Sequence, residues 1–301
     1  MNLIALVLAL VIEHGLTSLL HLREPRWLDR WCDWLGRRLG AVEGVALHAA
    51  LVAAVLVPVA PVAVADALLG SHLLGLLQLA FAVLVLLASF GPRDLREEVE
   101  DYLDALERGD RGAASRRATE LLEADAAGRG DALREALEEA IFVQANNRVF
   151  GVVFWFVVLG PAGAWLFRVT DLMRRRAAFE AGRSDGSGTA GGYARALGQL
   201  HGLLAWLPAR LAAGAYALAG SFEDAVGHWR RVVDDVGDGL HARSEDLLAR
   251  VGKGALAPSL AGVAPEALDA AAAGGALRIV VRATWIWLAA VALLVLAGTA
   301  T

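Results

Sequence analysis

From Glu138 to Met173 the chain reads EEAIFVQANNRVFGVVFWFVVLGPAGAWLFRVTDLM, an apolar stretch too polar in places for a plain membrane span. Asn146, Asn147 and Arg148 stand at one end, Gly160-Pro161-Ala162-Gly163 in the middle, and Arg168 and Asp171 close it. An amide or guanidinium without a partner in hydrocarbon costs about 2 kcal/mol or more, so a helix facing lipid would exclude these residues. Non-helical backbone at membrane depth is tolerated only where protein or a water-filled hollow surrounds it. The stretch therefore predicts a broken or re-entrant helix lining a polar cavity. Leu203 to Leu218, with Trp206, Pro208 and Arg210 at its centre, predicts the second half of that cavity.

Composition puts both segments in a membrane. The chain is 57% hydrophobic over 301 residues with a mean hydropathy of +0.50, whereas soluble chains rarely exceed about 50% apolar residues. A net charge of −5 and the lack of a basic stripe argue against nucleic acid as a partner. Cys32 is alone, which leaves no internal disulfide. Residues 1–20 read as an uncleaved first span: no basic n-region or A-x-A-like site is present, and Glu13-His14 interrupts the apolar run. Val45 to Ala65 and Leu73 to Phe90 are each long enough for a hydrocarbon core of about 30 Å, with Pro58 and Pro61 kinking the first. Trp285 to Ala297 is the last expected span.

Arginine sets the orientation. Arg23, Arg26, Arg30, Arg37 and Arg38 place residues 21–40 in the cytoplasm, and hence the N-terminus in the periplasm of a bacterial inner-membrane protein. If 143–168 and 196–219 both crossed fully, Arg174-Arg175-Arg176 and Arg183 would lie outside, against the rule. The expected fold is thus all-α and polytopic, with about four true spans, two re-entrant or broken apolar helices, and cytoplasmic helical hairpins. Its expected divisions are a three-span region 1–90, a cytoplasmic hairpin 91–140, a central membrane region 141–220, a cytoplasmic helical region 221–282 and a last span 283–301. In the hairpin, Leu95, Val99, Tyr102, Leu103 and Leu106 recur at helical spacing up to Arg108-Gly109, and Asp110 caps the next helix. Ser221 with Asp224 caps a later helix. A short helix around Leu247-Leu248-Val251 precedes a loop of small residues, and Pro265 suits the first turn of another helix.

The candidate chemistry is sparse. Residues 183–192, RSDGSGTAGG, lack the Gly-Lys-Ser/Thr ending of a phosphate loop and read as a linker. No His or Cys spacing suits a metal, and no cofactor is expected. Glu13, inside a first span, either faces a cavity or snorkels to the interface. Arg148, Arg168 and Arg210 can hold a carboxylate or phosphate in bidentate fashion, or simply pair with Glu13, Asp171 or Glu139. Asn146 and Asn147 donate to the same cavity or cap a helix break. Trp155, Trp165 and Trp206 read most simply as interfacial aromatics, although Trp155 and Trp206 also flank the cavity. If any catalysis occurs, Glu13, Asp171, Asp94 and Glu139 are the well-placed acids, with Glu13 and Asp171 the candidates for the base.

VIEHG at 11–15, EPRWLDRW at 24–31, YLDAL at 102–106, the run 145–168 and WLPARLAAGAYALAGSFEDAVGHW at 206–229 together resemble the AmpE group of bacterial inner-membrane proteins. That resemblance implies a regulatory or sensor role in cell-wall recycling and β-lactamase induction, with the lipid bilayer, an anionic cell-wall fragment or lipid, and an amidase as possible partners. YLDALERGDRGAASRRATELL, FW followed by GPAGAWLFR, and WLPARL are more distantly similar to the CobD/CbiB proteins of cobalamin biosynthesis, which form an amide bond. That family carries Glu-Asn and an Asp before its Phe-Trp, where this chain has Gln144 to Arg148, and paired Asp where this chain has His201-Gly202. The acids that could hold Mg²⁺ or act as a base there are missing. The resemblance thus implies a binder or sensor first. A membrane-embedded amide-forming enzyme with a non-corrinoid substrate, or a scaffold for a partner amidase, are its alternatives.

Overall fold

The computed structural model describes residues 5, 6, 9, 26–40, 42–69, 75–90, 94–122, 130–183, 189–234 and 240–298, and among these every regular element is helical. Helix α1, Arg26–Leu39, buries Leu28, Cys32 and Leu35 on one face. Trp27, Trp31 and Trp34 flank that face and Arg30, Arg37 and Arg38 stay exposed, the pattern of a helix lying at an interface. Helix α2, Gly44–Leu69, is apolar throughout, and helix α3, Gly75–Ser89, is apolar but only 15 residues long. Helices α4 (Leu95–Glu107) and α5 (Arg111–Leu122) form the expected polar hairpin. Asp110 accepts from the Ala113 N–H at 2.9 Å, the cap read from sequence, and Asp94 caps the first helix by accepting from the Arg96 N–H at 3.0 Å.

Helix α6, Asp131–Ala145, runs through a five-residue π-turn, Asn146–Phe150, into helix α7, Gly151–Arg183. Among the described residues four helices are long and apolar enough to cross a membrane: the joined segment Asp131–Arg183, Gly44–Leu69, Gly191–Ala219 and Pro265–Leu294. The joined segment is not a single rod. Gly160 adopts φ 67°, ψ −156°, a conformation essentially confined to glycine, and Pro161 is suited to begin the next helical run. A Cβ at Gly151 would overlap the Phe167 ring, and one at Gly163 would overlap the Trp155 carbonyl oxygen. In a straight helix residues 151 and 167 would lie about 24 Å apart. Residues 151–159 and 161–183 are therefore antiparallel limbs of a hairpin that turns at Gly160. Its tip sits against the far end of α2: a Cβ at Gly160 would lie 3.6 Å from Asp66 Oδ2.

Helix α8, Thr189–Ala219, starts at the opposite end of the molecule from that tip. Tyr193, Ala196 and Leu197 share a buried cluster with Leu28 and Cys32 of α1 and Met173 and Ala177 of α7. Just past its C-terminus the Ser221 N–H donates to the Ala255 carbonyl of α10, Leu240–Leu260, at 3.0 Å. Arg176 binds Asp33 of α1 at 2.9 Å, and Arg174 reaches Glu245 of α10 at 3.5 Å, so α1 and α10 both flank the open end of the hairpin.

Two boundaries differ from expectation. Residues 252–260, read as a loop for their small side chains, continue α10. Glycine weakens a helix by about 1 kcal/mol, yet a Cβ at Gly252 would overlap the Phe142 ring, so smallness here serves close helix contact. A helix does begin at Pro265 as read, through a 3₁₀ turn at Pro265–Ala267, but it runs on unbroken as α11, Leu268–Leu296, so the span expected from Trp285 is its second half. Helix α9, Phe222–Asp234, completes the set. Of the expected first span, Ala5, Leu6 and Ala9 are described, buried among Leu86, Phe156 and Phe167. One apolar core runs from Leu95 to Ala283 and joins α4, α5, α6, α8, α10 and α11.

Candidate functional site

The second limb of α7 carries the densest charge in the interior. Asp171 has no solvent exposure and lies 2.8 Å from Arg175 Nε, 2.9 Å from Arg174 Nη2, 3.5 Å from Arg168 Nη1 and 3.7 Å from His201 Nε2. The three arginines stand at i−3, i+3 and i+4 from the aspartate, the spacings that share a helix face. His201 arrives from α8, its ring 5.2 Å from Phe167 and fully buried. A carboxylate out of contact with water is tolerable only in such company, because desolvation of an isolated ion costs several kcal/mol.

Arg174 extends the cluster outward. Besides Asp171 it meets Glu245 on α10 at 3.5 Å, and Asn147 of the π-turn hydrogen-bonds the same carboxylate. Burial pushes the Glu245 carboxyl above its ordinary value, and the Arg174 guanidinium pulls the other way. Asn146 donates to Asn147 Oδ1 at 3.3 Å, while its own buried Oδ1 has no partner among the described residues. A π-turn displaces the backbone ladder and is frequent at functional sites. Here it turns Asn147 and Arg148 into the interior. Arg148 donates to Glu98 of α4 at 2.9 Å, and Gln144 donates to the Leu121 carbonyl of α5. The membrane cluster is thus tied residue by residue to the polar helices.

The expected site divides. Asp171, Arg168, Asn146, Asn147 and Arg148 gather around the open end of the hairpin. Trp155 does not face them; its indole N–H donates to the Leu204 carbonyl and fixes α8 against the first limb at 3.0 Å. Arg210 and Trp206 stand apart. The Arg210 guanidinium stacks 4.1 Å over the Trp206 ring and donates to the Trp206 carbonyl at 2.9 Å, on a helix face that also exposes Leu203, Leu207 and Leu211. Nine residues separate Arg210 from His201, about 13 Å along the helix and half a turn around it. The single hollow between Arg168 and Arg210 is therefore not formed. Glu13 lies outside the described residues.

Sequence reasoning missed Arg174, Arg175, His201 and Glu245. The i+3 and i+4 spacing of Arg174 and Arg175 from Asp171 was there to be found, but the three adjacent arginines read as a topology signal alone. His201 and Glu245 reach the cluster only through tertiary contact. Among the described residues no three of His, Cys, Asp and Glu converge as a metal site would require.

The family model described as "Regulatory signalling modulator protein AmpE" matches residues 1–300. The cobalamin biosynthesis protein CobD of Stutzerimonas stutzeri is 31% identical over 161 residues, 53% of this chain and 51% of that protein. The protein of the same name from Chromobacterium violaceum is 28% identical over 234 residues, 72% of this chain and 71% of that protein. The chain thus spans about half the length of the first relative. No solved structure matches.

Proposed function

The chain belongs to the AmpE family, and on that premise we propose that this multi-pass regulatory protein relays a cell-wall signal by holding an anion on the arginines around Asp171. The ligand chemistry is a carboxylate or phosphate, borne either by a soluble peptidoglycan fragment or by a lipid headgroup. The supporting observation is the double engagement of Arg174, at 2.9 Å from buried Asp171 and 3.5 Å from Glu245. A ligand oxyanion competes with Asp171 for the fork of a guanidinium. The loosened arginines then shift α10 and the π-turn, and through Arg148–Glu98 the polar hairpin. In this reading the arginine-rich α1, Arg174 to Arg176 and α10 face the cytoplasm of the inner membrane, and the Gly160 tip faces the periplasm.

Thermal unfolding of the purified protein tests the binding. Saturation at 100 times Kd stabilises by about 2.7 kcal/mol, a readily measured rise in midpoint. An anionic muropeptide that raises the midpoint identifies the soluble source, and phosphatidylglycerol the lipid source. Arg175→Gln abolishes either rise. If neither anion moves the wild-type midpoint, the binding reading fails.

The likeness to the CobD proteins favours one second reading, an amide-forming membrane enzyme on a non-corrinoid substrate, with Glu13 or Asp171 as base. Engagement of Asp171 by three arginines weighs against free base chemistry there. Nucleotide consumption by the purified protein, lost in Glu13→Gln, would establish the enzyme and displace the sensor. A scaffold for a partner amidase predicts instead co-purification of the two, unaffected by Arg175→Gln.

A further inference from the structure

A second site lies where α1 crosses α2 and the second limb of α7. Trp27, Trp31, Val57, Pro58, Pro61 and Trp165 border a cleft of about 410 Å³ whose walls are almost wholly carbon. It is within the size range of small-molecule pockets, about 300–1,000 Å³. It shares no lining residue with the Asp171 cluster. The Pro58 carbonyl of α2 accepts from the Trp165 indole at 3.0 Å. That bond holds Trp165 as one wall. The other indole, Trp31 Nε1, is buried and has no partner among the described residues.

The rim differs from the floor. Trp31 stacks on Trp34 with centroids 5.2 Å apart, and the Arg38 guanidinium lies 5.6 Å over the Trp34 ring. Arg30, next to Trp31 in sequence, is exposed. Of the acids on this helix, Asp33 is bound by Arg176 in bidentate fashion at 2.9 and 3.2 Å. The order from floor to rim is apolar wall, buried indole N–H, aromatic stack, guanidinium. A phospholipid presents the same order: acyl chain, ester carbonyl, interfacial region, phosphate. Basic interfacial helices attract anionic lipid, at about 1 kcal/mol per basic residue near the surface.

We propose that this cleft binds one anionic phospholipid, with an acyl chain against Pro58, Pro61 and Trp165, an ester carbonyl on Trp31 Nε1, and the phosphate on the Arg38 guanidinium. The site anchors α1, and through Asp33–Arg176 it holds the end of the limb that carries the Asp171 cluster.

Native mass spectrometry of the full-length protein in detergent, with phosphatidylglycerol or phosphatidylcholine of identical acyl chains added, tests this. Wild type retains one phosphatidylglycerol where phosphatidylcholine is lost. Val57→Trp fills the cleft and weakens retention about tenfold or more, as expected for the apolar contact of one chain segment. Trp27 is 51% exposed at the mouth, so Trp27→Ala leaves the core intact and weakens retention in the same direction. Arg38→Gln removes the preference between the two lipids. Unchanged retention in a folded Val57→Trp overturns the proposal, and should that variant not fold, unchanged retention in Trp27→Ala overturns it. Equal retention of both lipids by wild type does so as well.

Discussion

A fully buried carboxylate is stable only while cations and donors surround it, and Asp171 has three arginines and a histidine within 3.7 Å. Asp171→Asn leaves those guanidiniums facing a neutral amide at the same volume. Breaking one side of a buried pair costs about 3–5 kcal/mol, so the variant should unfold at a much lower midpoint in the same detergent. Glu245 adds a pH dependence of defined sign. Its folded-state value is raised above the ordinary 4.5, so its contribution is most favourable below pH 4.5 and is lost as pH rises through the folded value. The midpoint of wild type relative to Glu245→Gln should therefore fall as pH rises from 4.5 upward; a rising difference would contradict the burial argument. Cys32 gives a third residue-level outcome. Burial first, then Asp29 and Asp33, push its thiol up to about 12, so little thiolate exists at neutral pH. Iodoacetamide should modify it only after the protein is denatured.

At the scale of the element, the hairpin turning at Gly160 is the decisive feature. Gly-Pro in the middle of an apolar run announces a break, and the excess of arginine after it announces a return to the same side; both were readable. The closeness of the limbs was not. It depends on Gly151 receiving the Phe167 ring and Gly163 receiving the Trp155 carbonyl, contacts between residues that sequence spacing places a helix length apart. Gly160→Ala forces a side chain into a backbone region that costs about 1–3 kcal/mol, and the unfolding midpoint should drop accordingly. Gly182→Ala, inside the same helix where no neighbour and no unusual φ intervene, should leave the midpoint unchanged or raise it, and serves as the control. The same limit explains α10. Its small residues read as loop because propensity is local, whereas their use for close helix contact appears only against Phe142.

At the scale of the molecule, one apolar core joins the polar hairpin, α6, α8 and the C-terminal helices, and the Asp171 cluster meets it through the Arg174–Glu245 pair on α10. The hairpin also reconciles the arginines at 174–176 and 183 with the positive-inside rule. Topology reporters inserted after Arg183 and after Gly220 should both report the cytoplasm, and one at Asp66 the periplasm. Periplasmic signal after Arg183 would mean that 151–183 crosses only once, against the limb contacts.

Sequence alone determined that the chain is helical, belongs in a membrane, and breaks its central helix near Gly160. These follow from composition, periodicity and backbone chemistry, which act within a few residues. It also marked Asp171, Arg168 and the Asn146-Asn147-Arg148 turn as polar groups needing partners. Which partners they have was decided by tertiary structure. His201 and Glu245 lie 30 and 74 residues from Asp171 in sequence, and Arg210 was drawn away by half a helical turn to stack on Trp206. Desolvation dictates that a buried charge be matched; only the fold dictates what matches it.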